Sequence, residues 1–173
     1  QANHARYLQA VDTLLAWQLA SRPGVLPAYD EPLLRRELQL FPDWYLQRHL
    51  GVELSDVQRD QWQRVCDLLV GSALAQPRVF VHRDYMPRNL MLSEPNPGIL
   101  DFQDAVHGPI SYDVTSLFKD AFLSWPEARV QAWLQRYWQL AREAGLAVPA
   151  EFVEFQRMSD LMGVQRHLKV IGI

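Results

Sequence analysis

The chain has 173 residues, 49% of them hydrophobic and 21% charged, the balance of a folded globular chain rather than a disordered or fibrous one. A formal net charge of −3 and a pI near 5.9 argue against a nucleic-acid or anionic-membrane surface. One cysteine, Cys66, excludes an intramolecular disulfide framework and a cysteine metal cluster, and fits a cytoplasmic protein.

Arginine supplies nearly all the positive charge; the two lysines are Lys119 and Lys169, and none precedes Lys119. The eight glycines are scattered with no G-x-G, so no familiar Gly-rich phosphate loop is present. No basic-then-apolar leader opens the sequence. The longest mostly apolar run, Leu68 to Ala75, is far short of the roughly 18 residues a membrane span needs. Gln1 starts close to a helical pattern and Ile173 stops inside an apolar run, so a fragment of something longer is expected.

Leu8, Val11, Leu14, Leu15 and Leu19 recur at helical spacing, and Ser21-Arg22-Pro23-Gly24 ends that helix. Leu33 to Phe41 reads as a short helix, restarted at Pro42-Asp43 and stopped by Gly51. Ser55-Asp56 opens a longer helix. Arg78–His82, Asn89–Leu92 and Gly98–Phe102 are strand-like, and Glu94-Pro95-Asn96-Pro97-Gly98 is turn chemistry that makes a hairpin of the last two. Helical periodicity returns from Tyr112 to Phe122, then over about 127–144 and 151–173, with Pro126 and Pro149 suited to first turns. The expected class is α+β and predominantly helical: a helical part at 1–77, a β-loop region at 78–104, and a second helical part at 105–173.

Residues His82-Arg83-Asp84 through Asn89 match H-x-D-x-x-x-x-N, the catalytic-loop pattern of kinase-like phosphotransferases. The residue counts predict roughly 0.006 accidental matches. Twelve residues beyond Asn89, Asp101-Phe102 stands where such enzymes carry a metal-binding Asp-Phe-Gly. Phosphoryl transfer needs positioning and charge neutralisation more than covalent chemistry. Asp84 suits the carboxylate that orients the acceptor hydroxyl and takes its proton. Asn89 and Asp101 supply the oxygen ligands Mg²⁺ prefers. Met91 and Leu100 are candidates for an apolar floor under an adenine, against the alternative of plain core. His82 reads as loop structure rather than a proton carrier. Met86 occupies the place of the protein-kinase lysine, and only 11 residues separate Asp101 from Asp113, so a small-molecule acceptor is favoured over a peptide.

Through His82-Arg83-Asp84…Asn89, Ile99–Asp104 and Tyr112-Asp113, the chain resembles the aminoglycoside phosphotransferase-like family, which includes choline, homoserine and sugar kinases. Leu26–Asp30, Glu37–Leu46, Asp101–Pro109 and Gly163–Lys169 carry a narrower resemblance to the bacterial anomeric amino-sugar kinases acting on N-acetylmuramate and N-acetylglucosamine in cell-wall recycling. The resemblance implies ATP and Mg²⁺ as cofactors and the C-terminal lobe of a protein-kinase-like fold with a small central β insert. It implies a nucleotide-binding N-terminal lobe as partner, absent from this chain, and hence little activity in isolation. Aminoglycosides or other alcohols remain alternative acceptors, and a non-catalytic sugar-binding lobe an alternative role. Glu37, Trp44, Tyr45, Arg157, Arg166 and His167 are the candidates for a sugar and carboxylate pocket. Asp104, Tyr112 and Asp113 are expected to brace the metal loop.

Overall fold

The structure is a computed structural model that describes residues 2–173, with side chains from residue 4. The first apolar stripe forms α1 (Ala2–Leu19), which buries Val11, Leu14 and Leu15. Asp30 caps α2 (Glu31–Leu40) by accepting from the Leu33 N–H at 3.0 Å, with Pro32 in its first turn. The chain does not break at Pro42 as expected. It continues directly as a wide π-type helix over Phe41–His49, in which the Leu50 N–H reaches back five residues to the Tyr45 carbonyl at 3.1 Å. Gly51, at φ +66°, releases the chain from this turn.

Ser55 and Gln58 form a reciprocal capping box that starts α3 (Asp56–Leu74). Along α3, Cys66, Leu69, Val70 and Ala73 face the core. Strand β1 (Arg78–Val81) follows, then a 3₁₀ turn at Pro87–Asn89. The hairpin of β2 (Leu90–Met91) and β3 (Gly98–Ile99) is present, shorter than the sequence suggests. Strand β4 (Val106–Pro109) was not anticipated; it pairs antiparallel with β1, Val79 opposite Gly108 and Val81 opposite Val106. The small β insert consists of two separate two-stranded sheets, and its last strand lies beyond residue 104. Pro27 and Tyr29 also bond His107 through the backbone, at 2.7 and 2.9 Å.

Helix α4 (Ser111–Phe118) ends four residues before the expected Phe122, and all eight of its residues are buried. A helix covered on every side runs through the centre of its domain. It packs on α6 (Phe152–Ile171), where the Thr115 and Ser159 hydroxyls bond at 2.8 Å. α5 (Glu127–Glu143) closes the other side, and its Trp133 stacks on Tyr7 of α1 at 4.6 Å between centroids. Pro126 caps α5, whereas Pro149 lies in the loop before α6 rather than in its first turn. Among the described residues no helix is long and apolar enough to cross a membrane.

Candidate active site

Strand β1 delivers His82 and Arg83 to α4, where the buried Asp113 carboxylate accepts from both backbone N–H groups, at 2.7 and 3.0 Å. Asp113 stands in the first turn of α4, where negative charge is favoured. Burial pushes its carboxyl up to about 7, against the pull of the two N–H groups and of Arg166. This brace holds the His82–Arg83 segment rather than the Asp101 loop that the sequence suggested. Arg83 takes a left-handed backbone, φ +76°, which turns the chain so that Asp84 leaves the sheet.

His82 is buried and joins the two halves of the site. Its Nε2–H donates to the Leu100 carbonyl at 2.9 Å, and its Nδ1 faces the Asp84 N–H at 3.3 Å. The first bond fixes the Nε2–H tautomer, and burial lowers the ring's pKa, which keeps it neutral. One imidazole thus ties Asp84 to the residue before Asp101.

Asn89 adds a second tie. Its Nδ2 donates to the Asp84 carbonyl at 2.9 Å, and its own carbonyl accepts from the Leu100 N–H at 3.0 Å. With the amide nitrogen engaged, Oδ1 is left without a partner among the described residues. Asp101, exposed and at φ +66°, accepts from Gln103 at 2.9 Å. The Asn89 Oδ1 and the exposed Asp101 carboxylate, one oxygen of which meets Gln103, fit a hard cation that takes most of its ligands from phosphate and water. Among the described residues no group of three His, Cys, Asp or Glu is gathered for a protein-only cage.

On the other side of Asp84 opens a cavity of about 350 Å³, lined among others by Met86, Tyr112, Phe122, Arg166 and Lys169. Behind it lies a buried ion cluster. Glu37, 4% exposed, accepts from Arg83 and the Tyr29 hydroxyl and meets Lys169 Nζ at 3.2 Å. Burial pulls the Arg83 guanidinium down, but the Glu37 carboxylate outweighs it and holds it above its ordinary value. Burial likewise drives the Tyr29 hydroxyl far up, so it stays a donor.

The structure gathers Asp84, Asn89 and Asp101 into one site and sets Arg166 and Tyr112 on its cavity. Glu37 is near but buried behind the loop. Trp44 lies under the Arg48 guanidinium at 4.0 Å and Tyr45 stacks between Phe41 and His49, both off the cavity. Arg157 lines a different groove, beside Asp67 and Glu154. His167 bonds the Lys119 carbonyl at 3.0 Å, a loop contact. Asp104 contributes only its backbone carbonyl, to Arg83 at 3.4 Å, and the Tyr112 hydroxyl has no partner, so neither side chain braces the loop as expected. Met91 and Leu100 are half-exposed on the hairpin face. Sequence reasoning assigned no role to Tyr29 or Lys169; Lys169 follows Arg166 by three residues, the spacing that shares a helix face.

A sequence profile described as the phosphotransferase enzyme family matches residues 1–152. The chain belongs to this family. Among its relatives, the N-acetylmuramate/N-acetylglucosamine kinase of Pseudomonas aeruginosa is 71% identical over 164 residues, covering 95% of this chain and 48% of the relative. The kinase of the same name from Neisseria meningitidis is 54% identical over 172 residues, covering 99% and 52%. This phosphotransferase-family chain therefore spans about half the length of the curated relatives it matches. It shares its fold with an aminoglycoside-3'-phosphotransferase of type VIII, at TM-score 0.57 and 15% identity over 91% of this chain and 60% of the other. The ADP-bound aminoglycoside phosphotransferase APH(2'')-Ib matches at TM-score 0.54 and 14% identity, over 94% and 64%.

Proposed function

We propose that this chain is the acceptor-binding and catalytic lobe of an ATP- and Mg²⁺-dependent kinase that phosphorylates the anomeric hydroxyl of N-acetylmuramate or N-acetylglucosamine. The observation that carries the reading is the double tie, through His82 and Asn89, that fastens Asp84 to Leu100, the residue before Asp101. In this reading Asp84 accepts a hydrogen bond from the sugar hydroxyl, points its oxygen at the γ-phosphoryl group of ATP and takes the proton as the new O–P bond forms and the bond to the departing ADP breaks. Asn89, through Oδ1, and Asp101 would hold Mg²⁺, which when bound would supply charge neutralisation at the transferring group. His82, its pKa lowered by burial, positions Asp84 rather than carrying the proton. Recycling of cell-wall sugars with ATP belongs in the cytoplasm.

The cavity supports a neutral or acidic sugar over a polycation. It is lined by the cations Arg88, Arg166 and Lys169 against the carboxylates Asp84 and Asp120, and an aminoglycoside would want the reverse balance. The relatives' names point the same way. The test uses full-length protein with ATP, Mg²⁺ and each of N-acetylmuramate, N-acetylglucosamine and an aminoglycoside. Asp84→Asn should lower kcat by about 10²–10⁴-fold for the amino sugars. Turnover of the aminoglycoside alone, or Asp84→Asn within threefold of the unmodified enzyme, would refute the reading.

A further inference from the structure

Arg166 is the buried guanidinium on the cavity, and among the described residues it makes no salt bridge. It is 2% exposed, and its Nε and Nη1 are buried with no hydrogen-bond partner. The other two cations of the cluster, Arg83 and Lys169, share Glu37. The oxygens of Asp113 are engaged by the His82 and Arg83 N–H groups. Beside Arg166, which lies 6.0 Å over its ring, Tyr112 is fully buried with its hydroxyl also unpartnered. A buried charge and a buried hydroxyl left unmatched are costly unless something else completes them. Both residues line the cavity onto which Asp84 faces, whereas Asn89 and Asp101 do not, so the group that completes them arrives with the acceptor rather than with the nucleotide.

We propose that Arg166, with the Tyr112 hydroxyl beside it, is an anion subsite that takes the carboxylate of an acidic sugar acceptor. The inference rests on the sugar-kinase reading above and specifies how its two acceptors are told apart. N-acetylmuramate is N-acetylglucosamine with a lactyl ether on O3, and that ether carries the carboxylate. O3 stands on C3, two ring carbons from the anomeric carbon, so a sugar with its anomeric hydroxyl at Asp84 carries the lactyl group away from that carboxylate and into the cavity. Phe122, Val170 and Ile173 supply apolar wall there. Arginine suits the task, because its fork can meet both carboxylate oxygens.

The test compares kcat/KM for the two sugars in full-length unmodified protein, Arg166→Gln, Arg166→Lys and Tyr112→Phe. In Arg166→Gln the preference ratio, acid over neutral, should fall about 10- to 100-fold, carried by KM of the acid. Arg166→Lys, which keeps the charge but loses the fork, should recover part of that ratio, and Tyr112→Phe should lower it by a smaller factor. A ratio within twofold in Arg166→Gln overturns the proposal. So does a parallel loss for both sugars, which makes Arg166 structural, or a rise confined to the KM of ATP. If the unmodified protein turns over neither sugar, the kinase reading fails, and calorimetric titration of both sugars decides the subsite separately. Tighter binding of the acid that disappears in Arg166→Gln supports it; equal binding, or none, refutes it.

Discussion

Replacing Glu37 by Gln removes one negative charge and almost no volume, and it strikes the interior ion cluster at its centre. The Glu37 side chain is 5% exposed, Arg83 17% and Lys169 13%, so water screens the three poorly. At an effective dielectric of about 20, one pair at the 3.2 Å Lys169 separation is worth roughly 5 kcal/mol before desolvation. Dehydrating the ions offsets much of that in the intact cluster, but the variant keeps both cations dehydrated and returns nothing for them. Breaking a buried pair in this way costs about 3–5 kcal/mol. For a chain of this length that corresponds to a fall in Tm of about 6–20 °C. Urea unfolding and a thermal scan, both followed by circular dichroism, measure it. A second substitution, Lys169→Met, removes one of the orphaned cations, so Glu37→Gln/Lys169→Met should be less destabilised than the sum of the singles by about 0.5–3 kcal/mol. A Glu37→Gln chain that melts within about 3 °C of the original, or strictly additive singles, would show that the cluster is solvated and the reasoning wrong.

Asp113 carries a pH signature. Its pKa rises from 3.8 unfolded to about 7 folded, so between those values the folded chain holds a proton that the unfolded chain releases, and stability falls as pH rises through the window. The loss reaches about 4 kcal/mol across the full interval. Asp113→Asn should flatten that part of the profile in urea titrations from pH 4.5 to 7.5, and an unaltered slope would contradict the assignment. At Gly108 an added Cβ would stand 2.7 Å from Cβ and 2.9 Å from Cδ1 of the buried Tyr29. Gly108→Ala should therefore destabilise by about 1–3 kcal/mol in chemical denaturation, and a neutral result would mean that the β4 approach to Tyr29 is looser than described.

The parts of the site that could be read from sequence are those built from local signals. The His82–Asn89 spacing, the Pro-rich turn and the N-cap at Ser55 each specify their structure within a few residues. Strand β4 could not be read this way. Val106-His107-Gly108-Pro109 has the composition of a turn, and it becomes a strand only because β1 and the Pro27–Tyr29 segment offer it partners distant in sequence. Pro42 misled for the opposite reason. A residue without an N–H breaks a helix only where that N–H is needed, and here it occupies the start of the wide turn. Arg157 and Arg166 were grouped as one pocket, yet nine residues at about 100° each put them on opposite faces of α6. The same geometry, applied to Lys169, would have placed it beside Arg166. Glu37 could be placed on the buried face of α2 with Leu34 and Leu38, but its three partners come from three other segments.

The solitary cysteine has a practical corollary. Cys66 is 5% exposed on the inward face of α3, and burial pushes its thiol above the ordinary value. In the closed chain it is neither accessible nor ionised, so an alkylating reagent reacts only with molecules in which α3 has parted from the core. A variant made in this chain thus brings its own unfolding clock: the rate of Cys66 modification reports how often the bundle opens, with no label added and no further residue changed.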